Sequence, residues 1–291
     1  MKMLFPNRAA AKEWDVMRIL SAVPDMRSNQ ETDIHETAIV ADTAKIGKNV
    51  KIGPYSVIGP NVTIGDGTVI GPHVVVDGWT TIGNDCHLFQ FCSVGEIPQD
   101  LKFAGEKSYV TIGDRTTIRE CVTIHRATGE GEKTSIGTDC LLMATVHIAH
   151  NCVVGNHVIM SNAAMIAGHV RVEDRAVIGG MTGVHQFVKI GRNAMVGGFS
   201  RLSQDVVPYT IVNGIPARAI GLNSVGISRA GIPVESRRKL KQAYKILYRS
   251  GYNVSKAIEV IEQDIDSCEE IENFLRFLRN AERGICRGSH E

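Results

Sequence analysis

The stretch Ile46-Gly-Lys-Asn-Val-Lys-Ile52-Gly-Pro-Tyr-Ser-Val-Ile58-Gly-Pro-Asn-Val-Thr-Ile64-Gly-Asp-Gly-Thr-Val-Ile70 repeats every six residues. An aliphatic side chain at every sixth position fits neither the 3.6-residue period of a helix nor the two-residue period of a strand. It fits three short strands per coil, each turning a corner, with the aliphatic residue of each hexad pointing inward. Outward from this stretch the beat runs without a break from Ile34 to Val94, eleven positions that are all Ile, Val or Leu. It resumes at Ile112, Ile118 and Ile124, then holds from Ile136 to Leu202 with only Met160 departing. Three hexads make a coil of 18 residues. Val94 to Ile112 and Ile124 to Ile136 are whole multiples of six, so detours near 95–111 and 126–135 leave the solenoid and return in phase. The fold class is therefore mainly β, a parallel β-helix. By analogy with known hexapeptide proteins its coiling is left-handed, an exception to the right-handed crossover rule. The position two before each aliphatic residue is small, as at Ala44, Ser56, Thr68 and Thr80, and suits a crowded corner. Glycine follows many of the aliphatic residues, as at Gly47, Gly53, Gly59 and Gly65, where it is expected to tolerate the backbone geometry between strands.

The ends differ from this middle. Residues 1–33 form an N-terminal extension, helix-prone or disordered; residues 34–223 carry the β-helix; residues 224–291 read as a small α-helical domain. There Leu240, Ala243, Tyr244 and Leu247 share one helix face, and Ile271, Phe274, Leu275 and Leu278 another. Ser267 with Glu270 has the spacing of a capping box before the last helix. Between Ser236 and Ile258 there are seven Lys or Arg and no Asp or Glu, which reads either as a solvated face or as a surface for an acidic partner.

Composition narrows the function. With 5% aromatics the core is built from Ile and Val, and a formal net charge of +1 argues against a general nucleic-acid binder. No apolar run is long enough to span a membrane. The first 33 residues lack an apolar secretory core, and Glu13, Asp15 and Asp25 argue against a transit peptide, so a cytoplasmic location is expected. The seven cysteines include no Cys-x-x-Cys pair, and Cys86, Cys92, Cys140 and Cys152 fall on the small corner position, where they read as buried thiols in a reducing compartment.

Chemistry is expected where the repeat carries residues it does not need. His147, His150, His169 and His185 fall within successive coils. A neutral imidazole suits a general base; His147 and His150 could instead be two metal ligands, or the histidines could line a subunit interface. Phase separates these readings. Gly168 lies 18 residues beyond His150, so its backbone N–H stacks beside that imidazole. A base next to an amide that steadies an oxyanion is the minimal apparatus for acyl transfer. Ala144, Asn162, Gly180 and Gly198 form a second column, 18 apart and outward, whose small side chains leave a shallow groove suited to an alkyl chain.

The segments Gly95-Glu-Ile-Pro-Gln-Asp100-Leu-Lys102-Phe-Ala-Gly-Glu106, Thr123-Ile-His-Arg126, His147-Ile-Ala-His150 and Gly179-Gly-Met-Thr-Gly-Val-His185-Gln186-Phe187 resemble the UDP-N-acetylglucosamine O-acyltransferases of lipid A biosynthesis. The likeness runs from about residue 34 to the C-terminus. It implies a homotrimer with sites between subunits, and transfer of an R-3-hydroxyacyl chain from acyl carrier protein to the 3-hydroxyl of UDP-N-acetylglucosamine, without metal or cofactor. It further implies that His150 is the base and Gly168 the oxyanion amide. Asp100 and Lys102 would hold the glucosamine and acyl-hydroxyl region, His147, His169 and His185 line the pocket, and Gln186 contacts the sugar nucleotide. Asn223 and Arg229 would make the distal nucleotide and phosphate contacts, and Gly198 would be the chain-length ruler, open to long chains. Asn151, Val225 and Ala230 depart from residues usual in the family. Three alternatives stand beside this reading: the same chemistry on a 3-amino sugar nucleotide, a zinc-dependent γ-type carbonic anhydrase, and a purely structural solenoid. The related N-acyltransferase carries a large N-terminal domain for which the extension is too short.

Overall fold

The computed structural model describes residues 31–288. The expectations for residues 1–30 lie outside the described residues. Pairing begins at Asp33–Ile34, which lies beside Lys51–Ile52. Among the described residues the strands stack into three sheets of eleven, nine and eight, the walls of a left-handed parallel β-helix. Register follows the eighteen-residue coil, as in Ile52 against Ile70 and Ile148 against Ile166.

Two residues of each hexad face inward, not one. The aliphatic residue is buried, and so is the residue two before it: Val50, Ser56, Val62, Thr68, Val74 and Thr80 are all inaccessible or nearly so. Polar atoms survive there because each reaches a corner carbonyl. The Ser56 hydroxyl donates to Gly71 O at 2.7 Å and that of Thr68 to Gly83 O at 2.8 Å. The thiols do the same, Cys140 to Gly155 O at 3.1 Å and Cys152 to Ala167 O at 3.1 Å. Burial pushes the Cys140 thiol up to about 11 and that of Cys152 up to about 12, so both stay protonated and unreactive.

The glycines after the aliphatic residues serve a different purpose from the one expected. The left-handed backbone falls two positions later, on Asn49, Tyr55, His73, Asp85, Phe91, Asn151, His169 and their equivalents. A β-carbon on Gly53 would stand 2.9 Å from the Gly71 carbonyl carbon, and one on Gly137 only 2.6 Å from that of Gly155. Close approach of the next coil, not positive φ, excludes a side chain there. The left-handed residues are held because their amides continue the ladder around the corner: His73 N–H donates to Pro54 O at 3.0 Å and His169 N–H to His150 O at 3.0 Å.

The two detours are shorter off the sheet than their sequence limits. Strands Ser93–Glu96 and Tyr109–Ile112 flank the first, and Thr123–His125 and Lys133–Ile136 the second, leaving 97–108 and 126–132 as loops. They clip together: Glu106 accepts Gly129 N–H through one carboxylate oxygen and Ala104 N–H through the other, both at 2.7 Å. After the last coil an antiparallel pair, Thr210–Asn213 with Arg218–Leu222, closes the end of the solenoid. Four helices follow, α1 (Ser224–Arg229), α2 (Val234–Arg249), α3 (Val254–Asp264) and α4 (Glu269–Arg279). Leu240, Ala243 and Leu247 of α2 and Ile271, Phe274 and Leu278 of α4 are buried. The expected capping box does not form. Cys268 stands at the N-cap of α4 without a side-chain bond, and the Ser267 hydroxyl donates to Glu272 at 2.7 Å instead. The chain then returns to the solenoid, with Ile285 bridging to Asp205 and Gly288 to Ala219.

Candidate active site

The outward positions Thr123, His147, Met165, Gly183 and Arg201 stack in one column of the nine-stranded sheet. At the next corner His150, Gly168 and Gln186 follow one another at coil spacing. A cavity of about 710 Å³ runs along this corner, with His125, His147, His150 and Gly168 at one end and Arg201 and Arg283 at the other.

The ring of His150 is fixed from both sides. Its Nδ1 lies 2.9 Å from Asn151 Oδ1. The Asn151 amide cannot turn, because Oδ1 also accepts Thr128 N–H at 3.0 Å while Nδ2 donates to Thr128 O at 3.1 Å. An oxygen so placed can only accept, so Nδ1 carries the proton and Nε2 presents its lone pair. Asp100 Oδ2 stands 3.8 Å from that Nε2. The Lys102 backbone N–H, bonded to Asp100 Oδ1 at 3.1 Å, is the main influence holding this carboxyl below its usual range. Gly168 leaves room for the ring. A β-carbon there would fall 2.5 Å from both Cε1 and Nε2 of His150. Among the described residues the Gly168 N–H donates to no protein acceptor, so a polar hydrogen is left beside the base.

The surrounding histidines are held neutral. Burial pushes His147 down to about 4, with His125 adding to the effect; its Nδ1 meets the Thr123 hydroxyl at 2.7 Å. Burial also lowers His125, which meets His147 edge-on at 5.0 Å, and His169, which stands edge-on to His150 at 5.3 Å and stacks on Phe187 at 4.7 Å. Neutral rings here supply hydrogen bonds and shape without adding positive charge beside the base. Among the described residues no three His, Cys, Asp or Glu side chains converge as a metal set.

The structure brings together Asp100, His147, His150, Gly168, His169, His185 and Gln186 of the residues singled out in the sequence. The Lys102 side chain is exposed and reaches the site only through its backbone. Gly198 lies on another corner, between the eleven- and nine-stranded sheets, with its neighbour Gly180 stacked beneath it. Asn223 is buried as the N-cap of α1, where Oδ1 accepts Gly226 N–H and Nδ2 donates to Asn193 O at 2.9 Å, so both ends of its amide have structural partners. Arg229 is exposed at the end of that helix, and neither lines the cavity. Sequence reasoning missed the Thr128 clamp, the Glu106 clip, and Arg201 and Arg283, because all four depend on where loops and the returning tail land.

Known proteins match this architecture along most of the chain. A family model described as UDP N-acetylglucosamine O-acyltransferase, domain 2, matches residues 205–286, and one described as bacterial transferase hexapeptide (six repeats) matches residues 43–78. An acyl-[acyl-carrier-protein]–UDP-N-acetylglucosamine O-acyltransferase of Thermodesulfovibrio yellowstonii is 49% identical over 256 residues, 88% of this chain and 99% of its own. Among solved structures, LpxA from Acinetobacter baumannii superposes with a TM-score of 0.84 at 44% identity, covering 87% of this chain and 99% of that one. The Arabidopsis UDP-N-acetylglucosamine acyltransferase does so with a TM-score of 0.77 at 35% identity, covering 87% and 100%.

Proposed function

This chain belongs to the UDP-N-acetylglucosamine O-acyltransferase family, and from that membership we propose that it moves an R-3-hydroxyacyl chain from acyl carrier protein to the 3-hydroxyl of UDP-N-acetylglucosamine, the first step of lipid A biosynthesis. One observation carries the assignment of roles: the Asn151 clamp leaves Nε2 of His150 unprotonated beside the unpartnered Gly168 N–H. His150 Nε2 takes the proton of the sugar 3-hydroxyl as its oxygen attacks the thioester carbonyl. The oxyanion forms against the Gly168 N–H. The carbon–sulfur bond then breaks, and the imidazolium returns its proton to the leaving thiolate. Asp100, ionised and close to Nε2, accepts from a hydroxyl of the sugar. The sequence of steps balances without a metal or a cofactor.

Exposed apolar residues along the corners, Tyr55, Phe91, Met181 and Phe199 among them, support assembly into a homotrimer, in which the Gly198 groove of one subunit would meet the base of its neighbour. The unpaired cysteines fit a reducing, cytoplasmic setting. Exposed Arg238, Lys241 and Lys245 on α2 offer a docking face to the acidic carrier. The test is transfer by the purified protein from a panel of 3-hydroxyacyl carrier proteins, with UDP-N-acetylglucosamine and its 3-amino analogue as acceptors and His150→Ala alongside. Transfer to the hydroxyl acceptor that falls by about a thousandfold in the variant supports the assignment. Transfer confined to the amine, or full activity without His150, overturns it.

A further inference from the structure

Arg201 and Arg283 share the far end of the cavity, and the steps above use neither. Arg201 stands three coils beyond His147 in the outward column, which at the ~4.8 Å spacing of strands puts it about 14 Å along the axis from the level of the base. Arg283 arrives from the opposite end of the fold, on the returning tail. Its Nε donates to Ser203 O at 3.2 Å, which fixes the guanidinium two residues from Arg201. Asp205, buried behind it, accepts Lys189 N–H at 2.8 Å and anchors the same tail. Among the described residues neither the Arg201 guanidinium nor the terminal nitrogens of Arg283 have a hydrogen-bond acceptor. Two unpartnered guanidinium groups in a concavity are a site for a phosphate, whose oxygens they engage in pairs.

Both substrates of the proposed reaction carry phosphate, and distance chooses between them. The sugar diphosphate is only a few bonds from the reacting hydroxyl, so it cannot lie 14 Å from the base along this axis. A pantetheine arm has roughly a dozen bonds between sulfur and phosphorus and spans on the order of 15 Å when extended. We infer that Arg201 and Arg283 bind the phosphate of the donor's 4′-phosphopantetheine arm. This rests on the reading of the chain as an acyltransferase that uses a carrier-bound thioester. The tail that presents Arg283 ends at Gly288 against Tyr248 of α2, so the phosphate site is continuous with the basic helix proposed to receive the carrier.

Donors that differ only in the phosphate test this directly. With acyl-phosphopantetheine and acyl-pantetheine as donors, the phosphate is expected to raise kcat/KM by about tenfold in the unaltered protein, as for a charge-assisted hydrogen bond. In Arg201→Gln and in Arg283→Gln that ratio falls toward one while the KM for UDP-N-acetylglucosamine stays put. Arg201→Gln leaves the tail contact intact and so separates phosphate binding from folding of the tail. Calorimetry with phosphopantetheine and pantetheine, without an acceptor, gives the same comparison without turnover. Equal treatment of the two donors by the unaltered protein overturns the inference. So does a rise in the KM for UDP-N-acetylglucosamine with the donor ratio unchanged, which would hand the arginines to the diphosphate. Arginine-dependent phosphopantetheine binding without any acyl transfer would uphold this site and overturn the reaction instead.

Discussion

Asn151 Oδ1 lies 2.9 Å from His150 Nδ1 while the same amide both accepts from and donates to the backbone of Thr128. A carboxylate could stand in the first role but not in the last, since it has no proton to give Thr128 O. Asn151→Asp would place a negative charge on the ring and favour the imidazolium. The acid limb of the pH–rate profile is then expected to move up by about one unit, and the second loop to loosen. An unmoved profile would mean that residue 151 does not govern the base.

The spacing between Gly168 and the ring makes a separate prediction. In Gly168→Ala the new β-carbon would overlap Cε1 and Nε2 of His150, and the ring must tilt away from Asp100. A misplacement of this size is expected to cost about a hundredfold in kcat. The solenoid interior is untouched, so the melting temperature should change little. A variant that retains full kcat would show that the imidazole is not held against this amide.

The hexad beat made the solenoid legible because its cause is local. Each buried aliphatic residue answers to its own coil, and stacking at 18 residues follows by counting. The same count set Gly168 beside His150. It could not reveal why Asn151 matters, because Thr128 belongs to a loop outside the repeat and reaches Asn151 only after the loop folds back. Nor could it place Arg283, whose position depends on the tail crossing four helices to pair with Asp205. Asn223 marks the opposite difficulty: family likeness points it at a nucleotide, yet its neighbours Gly226 and Asn193 engage both ends of its amide.

Stability should depend on pH through His147. Its ring titrates near 6.5 in an unfolded chain and is pushed down to about 4 by burial here. Between these values the unfolded chain binds more protons than the folded one, so stability rises with pH across this window and is lost as pH falls through it. Melting temperatures at pH 5 and pH 7 should therefore differ, and His147→Asn, which keeps a partner for the Thr123 hydroxyl, should narrow the difference. Equal narrowing by a substitution at exposed His35 would remove His147 from the explanation.

Glu106 ties the first loop to the second through Gly129, and the first loop carries Asp100. Glu106→Ala should leave the coils as they are and let Asp100 wander. The expected outcome is a several-fold rise in the KM for UDP-N-acetylglucosamine with a smaller change in kcat. The reverse pattern, kcat falling at constant KM, would mean that the clip serves the chemistry and not the sugar.

Gly198 is exposed, and a β-carbon there would stand 3.3 Å from Gly180 O with open space beyond it. Below it the column continues through Gly180, Asn162 and Ala144, so the corner is a shallow trough along the axis. Gly198→Met would fill that trough with a flexible apolar side chain. An alkyl chain lying there would lose its last methylenes from the groove, at about 0.8 kcal/mol or about fourfold in kcat/KM for each. Donor preference should therefore move to shorter acyl chains while the KM for the sugar nucleotide stays unchanged. Because Gly198 and His150 stand on different corners, the shift also requires two subunits at one site. Mixed trimers that carry Gly198→Met in one subunit and His150→Ala in another would retain a wild-type site only where neither change faces the other. An acyl-length profile identical to that of the unaltered protein would place the chain somewhere other than this trough.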